Sequence, residues 1–403
     1  MIWTLKKIYY RIFQAGLQFS QLFLRIRIPE LITGAGSLKR LPEVVKSQGL
    51  NNVLIVTDKV LMKLGLLKGL IKALKDSGIE YNVFDDVQPN PTIQNIEDGL
   101  KLYRSNGCRG IIAFGGGSPM DCAKIIGARA VRPGLAVKKM KGLFKILKKL
   151  PPLFAIPTTA GTGSETTLAA VISDPETHEK FAILDLRIVP HYAVLDPELT
   201  LKLPPDITAT TGMDALTHAV EAYIGTSGTR FTNEYAEKAT KIIYENLDKV
   251  YKKGSDLDRR NNMLLAAYYA GVAFTRASIG YVHAMAHNLG GMYGIAHGLA
   301  NAVILPFILE YYGKSIEGKL ARLAIVSGIG KKGEPDAELS EKFIEWVKSM
   351  NKKMRIPTSI KELKEKDIPL LAQRAMKEAN PMYPVPKLMN REQCEEMFRR
   401  LLP

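Results

Sequence analysis

At Leu203-Pro204-Pro205 the character of the chain changes. Before this point short apolar runs alternate with amphipathic stretches. Val53–Val56, Glu80–Phe84, Gly110–Phe114, Leu153–Ile156 and Ala193–Leu195 read as strands, with helical patterns near Leu67–Ser77, Thr92–Asn106 and Asp121–Ala130 between them. Strands that alternate with helices imply parallel βαβ units. After this point strand signals vanish. Helical periodicity runs through Thr211–Tyr223, Glu234–Tyr251, Arg260–Phe274, Tyr281–Leu289 and Leu339–Met350. The expected organisation is therefore an α/β domain over residues 29–204, an all-helical domain over 205–403, and a basic segment, 1–28, that stands apart.

The helical half holds most of the imidazole chemistry. Of six histidines, four lie between Thr211 and His297. Asp214 and His218 are one helical turn apart, as are His283 and His287, so each pair leaves one helix face. His297, just before Gly298, enters from a helix end or a turn. A carboxylate among imidazoles suits iron or zinc rather than calcium or magnesium. One such pair alone is weak. Two pairs with a further histidine, in a chain otherwise poor in histidine, point to a metal cage. Spacing does not say which of the five ligate, and a catalytic site keeps one position open.

In the α/β half, Gly115-Gly116-Gly117-Ser118 follows an apolar run and opens a helix. Glycines let backbone approach an anion, and the helix start supplies unpaired N–H groups. Asp58 ends the first clear strand, where a carboxylate accepts from a ribose hydroxyl and repels a 2′-phosphate, which favours NAD. A helix N-cap is the competing role for the same residue. Pro157 to Glu165 is small and hydroxyl-rich, and serves either to wrap a cofactor or to cap the next helix.

Composition narrows the class. The net charge of +16 suggests nucleic acid, yet no nucleic-acid motif accompanies it, so the excess reads as solvated surface that steers an anionic cofactor. Cys108, Cys122 and Cys394 are widely spaced, which fits a reducing, cytoplasmic setting. Residues 1–28 carry Lys6, Lys7, Arg11, Arg25 and Arg27 with no acidic residue, among apolar residues at helical spacing. Charges interrupt the segment too early for a membrane span. Packing on the domain or on a dimer mate is the simpler reading, and membrane-surface contact is the other. Lys138–Lys149, with six lysines, reads as solvated surface, or else as a basic amphipathic helix.

These motifs together resemble the iron-containing (group III) alcohol dehydrogenases. The resemblance rests on Pro89-Asn90-Pro91-Thr92, Gly115 to Asp121, Pro157 to Glu165, Gly212 to His218 and His283 to His297. It implies the dehydroquinate synthase-like fold of that family: an α/β dinucleotide-binding domain plus an all-α domain, acting as a homodimer. It assigns Asp214, His218, His283 and His297 as ligands of Fe2+, with Zn2+ as a substitute, and His287 as a catalytic neighbour that relays protons. It places NAD on Asp58, Asn90, Gly116, Gly117, Ser118, Asp121, Thr158, Thr159 and Lys180. The implied reaction is hydride transfer between NAD(H) and a small alcohol or aldehyde, with the metal polarising the substrate oxygen. A cyclase of the dehydroquinate-synthase type would need a basic cluster near the ligands, and Arg276 is the nearest basic residue to His283.

Overall fold

The computed structural model describes residues 2–21, 23–176 and 179–403; Met1 and Leu22 of the basic segment lie outside it. The chain groups into two compact units. One takes in 25–202 with 255–268, the other 1–24, 203–254 and 269–403.

The first unit is built on a parallel sheet of six strands in the order β1-β9-β6-β4-β2-β3. They are β1 (Glu30–Thr33), β2 (Asn52–Val56), β3 (Glu80–Phe84), β4 (Gly110–Gly115), β6 (Leu153–Pro157) and β9 (Tyr192–Leu195). β4, β6 and β9 are buried along their whole length. Central strands of a parallel sheet are covered on both faces, so they read as unbroken apolar runs rather than as alternation. The two faces feed separate cores. Leu54, Val56, Ile111 and Ala113 pack with Met120, Ala123 and Ile126 of the helix Gly117–Val131 on one side. Val53, Ile55, Ile112 and Phe114 pack with Leu41, Leu70 and Leu74 on the other.

Because all six strands run the same way, their carboxyl ends share one edge. β2 and β4 are paired with Val56 opposite Ala113, and β4 and β6 with Gly115 opposite Pro157. Strand order also reverses here: from β2 the chain steps outward to β3, then back past β2 to β4. Such a switch point is where open α/β sheets bind ligands. It gathers Asp58, Gly116 and Thr158, which follow β2, β4 and β6.

Sequence reading missed the small sheet of β5 (Gly142–Leu143), β7 (Ala169–Asp174) and β8 (Glu179–Leu184). Only Val137–Met140 of the lysine-rich stretch is helical, so no basic amphipathic helix runs through 138–149. Positive φ at Gly142, Phe144 and Leu147 breaks the helical path there.

The second unit is helical, with Pro205–Ile224, Arg230–Lys252, Tyr281–Tyr293, His297–Tyr312, Glu317–Ser327, Asp336–Lys353, Ile368–Ala379 and Arg391–Arg399 as its main elements. The helix Pro205–Ile224 is buried on every side from Gly212 to Ile224. A mostly apolar helix covered on every face belongs in a core, and Asp214, Thr217, His218 and Glu221 are buried with it. Gly212 permits this burial, since a Cβ there would lie 2.3 Å from Leu247 Cδ1. Among the described residues no helix is long and apolar enough to cross a membrane.

Candidate active site

Three helices of the helical unit build one side-chain cluster. Asp214 and His218 leave the same face of Pro205–Ile224, His283 comes from Tyr281–Tyr293, and His297 is the first residue of His297–Tyr312. One ligand atom from each of the four lies within 4.8 Å of all the others. His297 thus enters from a helix start. Gly298 behind it is a close-approach residue: a Cβ there would sit 2.5 Å from Thr210 O and 3.3 Å from Asp214 Cβ. Without a side chain at 298, the helix start seats against the backbone of Pro205–Ile224 and sets His297 beside Asp214, Nε2 to Oδ1 at 3.5 Å.

Residues absent from the sequence reading hold these ligands in place. Glu221 is buried and accepts from His283 Nδ1 at 2.6 Å, and from the backbone N–H groups of Gly280 and Val282 at 2.8 Å each. One carboxylate therefore caps the start of Tyr281–Tyr293 and fixes the tautomer of His283, leaving Nε2 as the lone-pair donor to the cluster. Burial pushes the Glu221 carboxyl up to about 7 against those N–H contacts. His283 is driven well below the usual imidazole range by burial, then by His218, His297 and His287, so the ring is neutral at neutral pH. A neutral imidazole is the form that ligates.

Asn301, one turn after His297, tests whether the cluster suits a cation. Its Nδ2 lies 2.7 Å from Asp214 Oδ1, 3.1 Å from His297 Nε2 and 3.2 Å from His283 Nε2. An amide nitrogen carries two protons, and three electron-rich atoms converge on it. Such a site is short of positive charge, and a divalent ion answers that need. The donor set also matches a borderline metal. The residues present fit.

His287 stands outside this set. Its Nδ1 is 2.6 Å from Glu378 Oε1, and Glu378 also accepts from Tyr383 Oη at 2.9 Å and Asn288 Nδ2 at 3.3 Å. Its ring stacks on His297 with centroids 5.2 Å apart. Glu378 comes from the distant helix Ile368–Ala379, so nothing in the local pattern could mark it. Glu221 was findable, because Asp214, His218 and Glu221 follow the i, i+4, i+7 spacing of one helix face. Arg276 lies over the ring of Phe231 and bonds Val272 O, so it forms no basic cluster at the ligands.

Residues 29–197 match the family described as iron-containing alcohol dehydrogenase, and 208–402 match its C-terminal counterpart. The chain belongs to the iron-containing alcohol dehydrogenase family. It is 38% identical to the 1,3-propanediol dehydrogenase of Klebsiella pneumoniae over 91% of this chain and 95% of that one. It is 36% identical to the NAD-dependent methanol dehydrogenase of Bacillus methanolicus over 87% and 92%. A crystal structure of 1,3-propanediol oxidoreductase superposes with a TM-score of 0.90 at 37% identity, over 94% of this chain and 99% of that one. The chain is accordingly a metal-dependent oxidoreductase of the NAD-linked alcohol dehydrogenases.

In this dehydrogenase the α/β unit brings several of the residues expected to bind cofactor into contact. Asn90 N donates to Ser118 Oγ at 3.2 Å, and Lys180 Nζ donates to Asn90 Oδ1 at 2.9 Å. Gly116 caps the helix Gly117–Val131 without a side-chain bond, and a Cβ on it would come within 3.5 Å of Thr159 Oγ1. Thr158 is buried, with its N–H on Gly115 O at 3.1 Å. Asp58 does cap a helix, its Oδ1 accepting from Leu61 N at 3.0 Å. Asp121 turns inward: Oδ1 accepts from Ser164 Oγ at 3.0 Å and Oδ2 from Val171 N at 2.9 Å.

Behind the loop lies Lys124, which sequence reading passed over. It is fully buried, and its Nζ reaches Ser164 Oγ, Thr167 Oγ1 and Ala169 O at 2.8 Å each, and Asp121 at 3.4 Å. These bonds tie the hydroxyl-rich loop to the helix that opens at Gly117.

Proposed function

We propose that this enzyme interconverts a short primary alcohol or diol and its aldehyde with NAD(H), at a ferrous ion held by Asp214, His218, His283 and His297. The observation that carries this is the convergence of the four donor atoms within 4.8 Å. When bound, the ion supplies Lewis-acid polarisation of the substrate oxygen. The protein does the rest. Glu221 keeps His283 in the ligating tautomer. His287 takes the alcohol proton at Nε2 as its Nδ1 proton moves to Glu378, and the reverse transfer supplies it in aldehyde reduction. Tyr383 and Asn288 hold the Glu378 carboxylate in place for this transfer.

On this reading the α/β unit is the cofactor domain. Asp58 sits where a ribose hydroxyl would be read, Gly116, Gly117 and Ser118 lie at the pyrophosphate, and Asn90, Lys180, Thr158, Thr159 and Asp121 shape the rest. The similarity to 1,3-propanediol dehydrogenase supports a short, terminally hydroxylated substrate. A cytoplasmic homodimer is the expected working form, and three buried, unbridged cysteines support a reducing compartment.

The test is NADH oxidation with a panel of short aldehydes, on anaerobically purified protein with and without ferrous iron. Iron-dependent turnover, fastest with short hydroxyaldehydes, is expected. His283→Ala should lose iron and turnover together. His287→Ala should keep iron while kcat falls on the order of a hundredfold. Iron loss in the second variant overturns its assignment.

A further inference from the structure

The helix Ile2–Gln21 leaves an apolar stripe uncovered. It is fixed to the helical unit by polar bonds. Arg11 donates to Val385 O at 2.8 Å and Pro386 O at 2.9 Å, and the buried Gln14 donates to Tyr383 O at 2.7 Å. Trp3, Tyr10, Phe13 and Leu17 are half-buried beside these bonds, and a second set of apolar residues faces the other way. Leu5, Ile8, Tyr9, Ile12 and Phe19 are 52–67% exposed, and Phe23 just beyond is 71% exposed. Leu5, Ile8, Ile12 and Phe19 fall on one stripe, with Ala15 and Gly16 between them. From Leu5 to Phe19 it runs roughly 20 Å at helical rise. Ordinary amphipathic helices bury such a stripe.

We infer that this face docks on an anionic phospholipid surface. Residues 1–29 contain five basic residues and no acidic one. Lys6, Lys7 and Arg25 are exposed. Apolar residues that enter the headgroup boundary, flanked by cations alone, are the chemistry of an interfacial helix. Charge decides against a second copy as the occupant. Two such helices placed stripe to stripe bring only positive charge together, with no carboxylate to pair it. The family match begins at residue 29, so the segment lies outside the part that makes the chain a dehydrogenase. The polar bonds to 383–386 hold the helix against the protein while its stripe stays outward.

The experiment is sedimentation of the full-length protein with vesicles of phosphatidylcholine alone, or of equimolar phosphatidylcholine and phosphatidylglycerol. Binding to the mixed vesicles and not to the neutral ones is expected. The triple variant Ile8→Ser, Ile12→Ser, Phe19→Ser should lower the bound fraction about tenfold or more, with NADH turnover unchanged because these side chains are more than half exposed and lie outside the family match. Lys6→Glu with Lys7→Glu should act in the same direction. No sedimentation of the parent protein overturns the inference. So does binding that survives the serine variant, which would place the contact on bare charge such as Lys138–Lys149. A parent that is a larger oligomer than the serine variant by light scattering gives the face to a second copy and overturns it too. Turnover is read separately, so failure here leaves the dehydrogenase reading standing.

Discussion

The proposed metal cage and the proposed cofactor cradle solve the same problem, fixing a charged group, by opposite means. The cage is made of side chains that meet other side chains: Glu221 on His283, Asn301 against Asp214, His283 and His297, and, beside the cage, Glu378 on His287. The cradle is made of backbone at Gly115–Ser118. Its side chains, Lys124, Ser164 and Asp121 above all, tie one backbone segment to another. The difference teaches where each is fragile. The cage should fail when a donor or its support changes chemistry or moves. The cradle should fail when space or loop geometry changes.

Among changes that leave every donor and its partners in place, the largest effect is expected from Gly298→Ala. The new Cβ meets Thr210 O, which is main chain and cannot swing aside. His297 is then displaced from Asp214, and turnover should fall on the order of a hundredfold, with weaker iron binding by titration. Unchanged turnover would mean that the cage tolerates movement, which would break the contrast.

Glu221→Gln comes next. The amide is nearly isosteric but turns one acceptor into a donor, facing N–H groups from Gly280 and Val282. Iron affinity should drop roughly tenfold to a hundredfold, as for other partners that orient a ligand histidine. Equal affinity in the two proteins would remove Glu221 from the support of the cage.

In the cradle, neighbouring glycines should separate. At Gly115, φ is +149° and a Cβ would lie 2.6 Å from Pro119 Cγ, so Gly115→Ala should lower stability by about 1–3 kcal/mol in urea unfolding. At Gly116 and Gly117 a Cβ makes only ordinary contacts of 3.5 and 3.4 Å. Gly116→Ala should leave stability alone and raise KM for NADH about tenfold, because the methyl takes space the backbone keeps open for an anion. Similar KM values for Gly116→Ala and the parent would mean that the anion does not approach there.

The smallest effect is a pH dependence in the bracing network. Burial raises the Glu165 carboxyl from 4.5 to about 7, against a smaller lowering by Lys124. The folded state therefore keeps this proton where the unfolded chain has released it. Its contribution to stability is full below pH 4.5 and is lost as pH rises through 7. Glu165→Gln should flatten the urea-unfolding curve over that window. His191 works in the opposite sense. Burial, then Arg27 and Lys149, depress it to about 4, so its contribution is present above pH 6.5 and lost as pH falls toward 4. That acid limb should persist in Glu165→Gln.

The sequence by itself determined the elements whose signals are local. Continuous apolar runs marked β4, β6 and β9, because strands covered on both faces show no alternation. The helical pattern from Thr92 marked the helix Ile93–Ser105, and helix spacing paired Asp214 with His218. It could not decide how helices far apart in the chain would meet. That Gly298 is a close-approach residue, that Glu378 supports His287, and that Lys124 braces a loop some forty residues away follow from packing. The N-terminal helix shows the limit best. Its amphipathic pattern was plain, but pattern fixes only that two faces exist. Only the tertiary structure shows which is turned to the protein: Arg11 and Gln14 reach carbonyl groups at 383–386 beside half-buried Tyr10, Phe13 and Leu17, and the stripe from Leu5 to Phe19 is left outside.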